Sequence, residues 1–370
     1  MKKIGLCLIV KNEAHIITRC LDSVKPIIDY VLISDTGSSD GTQEVIKKWL
    51  TENKIDGQVI NNEWVSFSFN RSLALSKMRE IKDIDYSLMI DADEIILYDD
   101  GFDPVRFKSD LSFEIYNINT TLSGVTYPRP QMVSNKKEFR YEGVVHEFLA
   151  MDIGGSTTTA VGIRNQPIQD SNRNRSGIEK YIKDAELLES ELLKNDIGDY
   201  LRSRYTFYLA QSYRDSGNLE KAIENYKLRA SQGFWREEEF VSLYNIAKLK
   251  NESPNFKKEE VIQDFFKSYE HSPHRSEPLY WIMQICRLNG WNQQGYIVGK
   301  QAIKNLSIPG GGLFVENWIY DYGILDEFSI CAYYSGHGDE SKETCIRLLT
   351  EGKIPEFYID RIKNNLAHCG

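Results

Sequence analysis

An α/β N-terminal domain with a mostly parallel sheet, followed by an all-α helical-repeat region, is the fold class that this sequence of 370 residues predicts. Three observations carry it. Short apolar runs rich in β-branched residues alternate with helix-period segments up to Ile90, each main run ends in a polar cluster, and the apolar period is helical after Ile178. With 41% hydrophobic residues the chain can bury more than one core, so a domain boundary is sought near the middle.

Ile4 to Val10 reads as a buried strand. Met1-Lys2-Lys3 before it imitates the start of a signal peptide, but Lys11 and Asn12 interrupt the apolar run and no small-residue cleavage site follows. Ala14 to Val24 has helical spacing at Ile16, Ile17, Cys20, Leu21 and Val24. Tyr30 to Ser34 is a second strand, closed by the dense turn signal Asp35-Thr36-Gly37-Ser38-Ser39-Asp40-Gly41, and Thr42 to Leu50 resumes the helical period. Gln58 to Ile60 is a third strand and Asn70 to Met78 a third helix. Tyr86 to Ile90 is a fourth strand that runs into Asp91-Ala92-Asp93-Glu94. Polar clusters thus fall beyond the carboxyl ends of strands, where ligands bind in open α/β sheets.

From Phe113 to about Gly162 the helical period disappears, and Ser123 to Tyr127 and Ala160 to Ile163 suggest added strands. The expected division is an α/β domain over 1–165, a polar linker or active-site loop over 166–177, and a helical domain over 178–370. Within the last, Leu209, Ala210, Tyr213, Ala222 and Tyr226 fall at the packing offsets of a tetratricopeptide-type hairpin, with Ser216-Gly217-Asn218 as its turn. A looser second copy places Phe265 and Pro273, and Leu279, Ile282, Met283 and Cys286 begin a third helix pair. Such a region could grip a peptide, shape a glycan site or mediate homo-oligomerisation, and its residues give no preference.

The formal charge of −9 and pI near 5.4 provide no whole-chain field for holding nucleic acid or an anionic membrane. No window approaches the roughly 18 apolar residues of a transmembrane helix. The six cysteines are scattered without CxxC spacing, which suits reduced thiols and a cytoplasmic location.

Asp91 and Asp93 follow an apolar strand at alternating positions, so both point to the same side. Two adjacent carboxylates favour a hard divalent cation, Mg2+ or Mn2+. Alone, such a triplet is commonly a solvated turn. Here it is accompanied by Asp35 to Thr42 and by Lys11-Asn12-Glu13 at two other strand ends, and the three clusters converge on one crevice. They offer carboxylate acceptors for the ring N–H of a base and for ribose hydroxyls. The plainer reading of Asp35 to Gly41 is a loop in which Asp40 or Ser39 caps the following helix, and the two readings are compatible.

These residues resemble family 2 glycosyltransferases of the GT-A fold, in the bacterial branch that resembles lipopolysaccharide-core glucosyltransferases and peptide S-glycosyltransferases. The resemblance spans about residues 1 to 150. It rests on Val10-Lys11-Asn12-Glu13, on Ser34 to Thr42, and on Trp64 with Phe67 and Asn70-Arg71. It continues in Ile90-Asp91-Ala92-Asp93-Glu94 and Gly143-Val144-Val145-His146-Glu147, in that order. It implies an inverting transfer from a nucleotide-sugar, a UDP-sugar, to a glycan, lipid-linked or peptide acceptor. Glu13 and Asp35 would hold the nucleoside, with Arg71 near the nucleotide. Within Asp91-Ala92-Asp93, Asp93 would be the principal metal contact and Asp91 would serve ribose or metal-bound water. Glu147 is the candidate base, with Glu142 and Asp152 as rivals, and His146 could ligate the metal or orient the acceptor. Related chains often carry a His-rich turn where this one reads Arg164-Asn165-Gln166-Pro167, so the third metal ligand would be His146 or water, or missing. Arg164, Arg173 and Arg175 could close over the diphosphate. The competing readings are an inactive α/β domain serving as a helical-repeat scaffold, and a sugar nucleotidyltransferase. The latter wants a Gly-rich basic phosphate loop near the first strand, which Lys11-Asn12-Glu13 does not supply.

Overall fold

The computed structural model describes residues 1–122, 125–151, 154–168, 170, 177–351 and 353–369. They form two compact units, Met1–Leu193 and Lys194–Gly370.

The first unit begins β1 (Ile4–Val10), α1 (Ile17–Val24), β2 (Tyr30–Asp35), α2 (Thr42–Asn53), β3 (Asp56–Asn61), α3 (Phe67–Arg79) and β4 (Tyr86–Met89). It continues through β5 (Glu94–Tyr98), α4 (Pro104–Ser109), β6 (Ile115–Leu122), β7 (Val125–Ser134), β8 (Arg140–Glu142), β9 (Phe148–Ala150), β10 (Thr157–Pro167) and α5 (Ile178–Leu192). One sheet has the order β3-β2-β1-β4-β7-β6-β10-β5, and β8 pairs with β9 separately. The first four strands are parallel, so their carboxyl ends share one edge. β7 runs antiparallel to β4 and to β6, and β10 runs parallel to β6 and antiparallel to β5.

β1 lies between parallel neighbours and is covered on both faces, which is why its sequence is a continuous apolar run. Ile4, Leu6, Leu8 and Val10 join a core with Ile17, Leu21 and Val24 of α1 and Ile46 and Trp49 of α2. Cys7 faces the other way, into a core with Ala74, Leu75 and Met78 of α3. Helix and strand approach closely here, because a methyl group on Gly5 would stand 2.5 Å from the Met78 sulfur.

The later strands differ most from the expectation. β7 reaches from Val125 to Ser134 through Pro128 and Pro130, residues that argue against an interior strand. β4 pairs only with Met132–Ser134, so the prolines occupy a stretch that needs no ladder donor on that side. Ser123, expected to start this strand, lies outside the described residues. β10 is longer than Ala160 to Ile163 because Ile163–Pro167 pairs with Glu94–Tyr98. Gln166 and Pro167 are therefore strand rather than linker. Ile168 N–H donates to the Asp93 carbonyl at 2.8 Å, and Asp170 accepts two hydrogen bonds from Arg19 at 2.7 and 2.8 Å. The Arg19 guanidinium holds the Asp170 carboxyl below the usual carboxylate range. α5, the first segment of helical period, belongs to the first unit.

The second unit contains α6 (Asp199–Asp215), α7 (Leu219–Ala230), α8 (Arg236–Glu252), α9 (Lys258–His271), α10 (Glu277–Leu288) and α11 (Asn292–Ala302). A π-helical turn, Ile319–Gly323, leads into α12 (Ile324–Tyr334), and α13 (Gly338–Glu351) and α14 (Glu356–His368) follow. The expected hairpin is α6 and α7. Leu209, Ala210, Tyr213, Ala222 and Tyr226 are all buried, and Gly217 makes the turn at φ 84°. Asn218 caps α7 by accepting from the Lys221 N–H at 3.2 Å. Phe265 is buried on α9, as are Leu279, Ile282, Met283 and Cys286 on α10. No helix among the described residues is long and apolar enough to cross a membrane. All six cysteines are unpaired, and only Cys369 is not buried.

Two arginines of this unit are fully buried, which the sequence does not foretell. Arg229 donates to Glu238 at 3.0 Å and to the Gly233 and Trp235 carbonyls at 3.0 and 3.3 Å. Burial pushes the Glu238 carboxyl up, and Arg229 opposes that shift. Removing Arg229 leaves the buried Glu238 carboxylate with only Arg204, at 3.7 Å, and breaking such a buried pair typically costs about 3 kcal/mol. Arg229→Met should lower stability in urea denaturation by about that amount. Adding Glu238→Gln should restore most of it, because the buried charge goes too; no restoration would mean that Arg229 acts by packing.

Candidate active site

The strand-end site starts from β1, β2 and β4, whose common direction puts Glu13, Asp35 and the Asp91 turn on one edge. Asp35 is the last residue of β2 and is 1% exposed. Its Oδ1 accepts from Gly37 N–H and Ser38 N–H at 2.9 Å each, a tight turn that puts Gly37 at φ 101°. Its Oδ2 is buried with no hydrogen-bond partner among the described residues. Leaving a buried acceptor unsatisfied costs about 1–3 kcal/mol, so this oxygen suits a donor from beyond the described residues.

The loops after β1 and β2 are stitched together. Asn12, at φ 58°, accepts from Ser39 N–H at 2.8 Å, while its own N–H donates to Ser38 Oγ at 2.9 Å. Glu13, 8% exposed, donates its N–H to Thr42 Oγ1 at 2.9 Å. Gly41 occupies the N-cap position of α2 at φ 89°, so neither Asp40 nor Ser39 is the N-cap itself. Asp40 instead accepts from Thr42 N–H at 3.0 Å and from Ala14 N–H at 3.1 Å, which joins the helix start to the neighbouring loop. Burial pushes the Asp40 carboxyl up, but these bonds and the Thr42 hydroxyl outweigh it and leave it below its ordinary value.

The turn Asp91-Ala92-Asp93-Glu94 closes through Glu94 N–H to the Asp91 carbonyl at 3.0 Å, with Ala92 buried and both aspartates half-buried. Arg71 is central to it. Its Nη2 donates to Asp91 Oδ1 at 2.5 Å and its Nε to Glu147 Oε1 at 2.8 Å, so it bridges two carboxylates rather than standing on the surface of α3. Burial alone would lower its pKa, but Asp91 and Glu147 outweigh that and hold the guanidinium above its ordinary value. Arg71 is set by its neighbour. Asn70, fully buried, accepts from Val65 N–H and Ser66 N–H at 2.9 and 3.2 Å and donates to the Glu63 carbonyl at 2.9 Å, while Ser66 caps α3.

A second guanidinium was not singled out in the sequence. Arg129 on β7 donates to Glu94 Oε1 and Oε2 at 2.5 and 3.2 Å and stands 3.6 Å from Asp91 Oδ2. Burial pushes the Glu94 carboxyl up, and Arg129 opposes this. Gln131, two residues on, reaches Glu94 at 3.3 Å. This period of two on β7 was the available signal, but the strand that carries Glu94 pairs elsewhere, so the partner is not legible locally.

Glu147 precedes β9 and reaches the site through Arg71. His146 is exposed at φ 51°, and among the described residues no group of three or more His, Cys, Asp or Glu side chains could hold a metal. The expected trio Asp91, Asp93 and His146 is therefore not assembled as a closed cage. Glu142 is engaged by Arg140 at 2.9 Å, and Arg164 pairs with Asp99 at 3.2 Å. Asp152, Arg173 and Arg175 lie outside the described residues.

The family model for Glycosyl transferase family 2 matches residues 6–101. An uncharacterized glycosyltransferase of Rickettsia prowazekii is 37% identical over 94 residues, 25% of this chain and 29% of that protein. A TPR repeat-containing protein of Synechococcus elongatus is 28% identical over 155 residues, 40% of this chain and 36% of that protein. The chain thus spans about a third of the length of these curated relatives. A solved tetratricopeptide repeat protein from Parabacteroides merdae aligns with 52% of this chain and 66% of its own, at 17% identity and a TM-score of 0.38. Residues 6–101, which contain Glu13, Asp35, Arg71, Asp91 and Asp93, are a glycosyl transferase family 2 domain.

Proposed function

We propose that the chain is a metal-dependent, inverting glycosyltransferase that moves a sugar from a UDP-sugar to a glycan, lipid-linked or peptide acceptor. The observation that supports it most is Asp35, whose buried Oδ2 has no hydrogen-bond partner among the described residues at a parallel strand end. An acceptor-only carboxylate in that place suits the ring N–H of uracil. Glu13 on the adjoining loop would share the nucleoside.

The donor set suits Mg2+ or Mn2+, which are commonly held by one or two carboxylates together with substrate phosphates and water and need no protein cage. Asp93 would be the direct contact. Asp91, already beside Arg71 and Arg129, suits ribose or a metal-bound water better than direct ligation. The ion, when bound, supplies charge to stabilise the departing diphosphate. Glu147 would take the proton of the attacking acceptor at Oε2, while Arg71 steadies Oε1. His146, exposed on the same turn, would orient the acceptor.

Calorimetric titration with UDP and Mn2+ tests the donor site. Asp93→Ala, at a half-exposed turn, should abolish Mn2+-dependent binding with the melting temperature unchanged, and EDTA should do the same to the wild-type protein; retained binding would reject Asp93 as the contact. Asp35→Asn puts an amide beside the base where an acceptor is required, and should weaken UDP binding with or without metal. Glu147→Gln should keep the bond to Arg71 and normal UDP affinity while lowering kcat by about 10^2 to 10^4. An unchanged kcat would remove Glu147 as the base. If no nucleotide-sugar is turned over and UDP does not bind with Mn2+, the scaffold reading replaces this one.

A further inference from the structure

Glu94 and Arg129 have no role in the transfer proposed above, yet together they grip Asp91 at both its backbone and its side chain. Glu94 Oε2 accepts from Asp91 N–H at 2.9 Å, and Glu94 N–H donates back to the Asp91 carbonyl at 3.0 Å. Arg129 forks onto both Glu94 oxygens and comes within 3.6 Å of Asp91 Oδ2, opposite the oxygen that Arg71 holds. The Glu94 side chain is 3% exposed, so its rotamer is set by packing. Gln131 steadies it further at 3.3 Å. Asp91 therefore lies between two guanidinium groups from different elements, α3 and β7.

We propose that Arg129 and Glu94 are a positioning pair for the acidic turn, aiming Asp91 beside Asp93 before the metal and the donor diphosphate arrive. This inference rests on the donor-binding reading. The physical reason is preorganisation. An aspartate on a four-residue turn can rotate about χ1, and each orientation facing away from the donor subtracts from affinity. Outer partners that orient the groups around a metal change its affinity by about 10- to 100-fold when removed. Without Arg129, Arg71 would be the one of these two guanidinium groups left beside Asp91, with Arg129 no longer opposing its pull from β7.

Arg129→Met alone would strand the buried Glu94 carboxylate and could unfold the domain, so the test uses Arg129→Gln with Glu94→Gln, which removes both charges together. Arg129→Lys serves as the conservative rescue. UDP affinity is measured with and without Mn2+, alongside the melting temperature. We expect the folded double variant to bind UDP with Mn2+ about 10- to 100-fold more weakly, with the lysine variant recovering part of the loss. Wild-type affinity in the folded double variant, or a lysine variant that recovers none of the loss, would overturn the proposal. A crystal structure of the double variant gives a readout independent of the donor. An Asp91 carboxylate turned from its wild-type direction supports the positioning role, and an unmoved one refutes it even if the wild-type protein fails to bind UDP.

Discussion

The bridge made by Arg71 between Asp91 and Glu147 is the interaction on which the site depends. Carboxylates brought together at a half-buried strand end repel one another and resist desolvation, and they persist there only with compensating charge. Arg71 supplies it from α3, and the forked geometry of a guanidinium lets one side chain serve two acceptors in different directions. One cation thereby ties the turn after β4 to the segment before β9, placing Asp91 and Glu147 within one connected network.

That arrangement needs a rigid platform. Four parallel strands bring loops to a common edge, and β1 in their middle is packed from both faces, so the loop ends inherit the stiffness of the core. The loops reinforce one another through Asn12, Ser38, Asp40 and Thr42, and Asn70 does the same for the segment leading into α3. Much of the polar sequence that reads as ligand-binding thus holds backbone. Asp35 spends one oxygen on its own turn, and the other has no hydrogen-bond partner among the described residues.

The second unit stabilises buried charge by the same principle. Arg275, the second fully buried arginine, donates to Glu277 and Glu237 and to the Leu313 carbonyl. A hairpin repeat is legible from small and large packing residues, whereas these pairs are not, because a charged residue on a helix reads as surface until a neighbouring helix covers it.

Local pattern determined the strand and helix alternation up to Met89, the place of Asp35, Asp91 and Asp93 at or just past strand ends, and the α6 and α7 hairpin with its turn at Gly217. Each follows from periodicity and turn chemistry within a few residues. Tertiary structure alone decided that β7 tolerates two prolines, that β10 absorbs the start of the expected linker, that Arg71 is a bridge, and that Arg129 meets Glu94 across 35 positions of sequence. A sequence window shows which residues share a face, but which charges meet depends on strand order, and strand order is a property of the whole sheet.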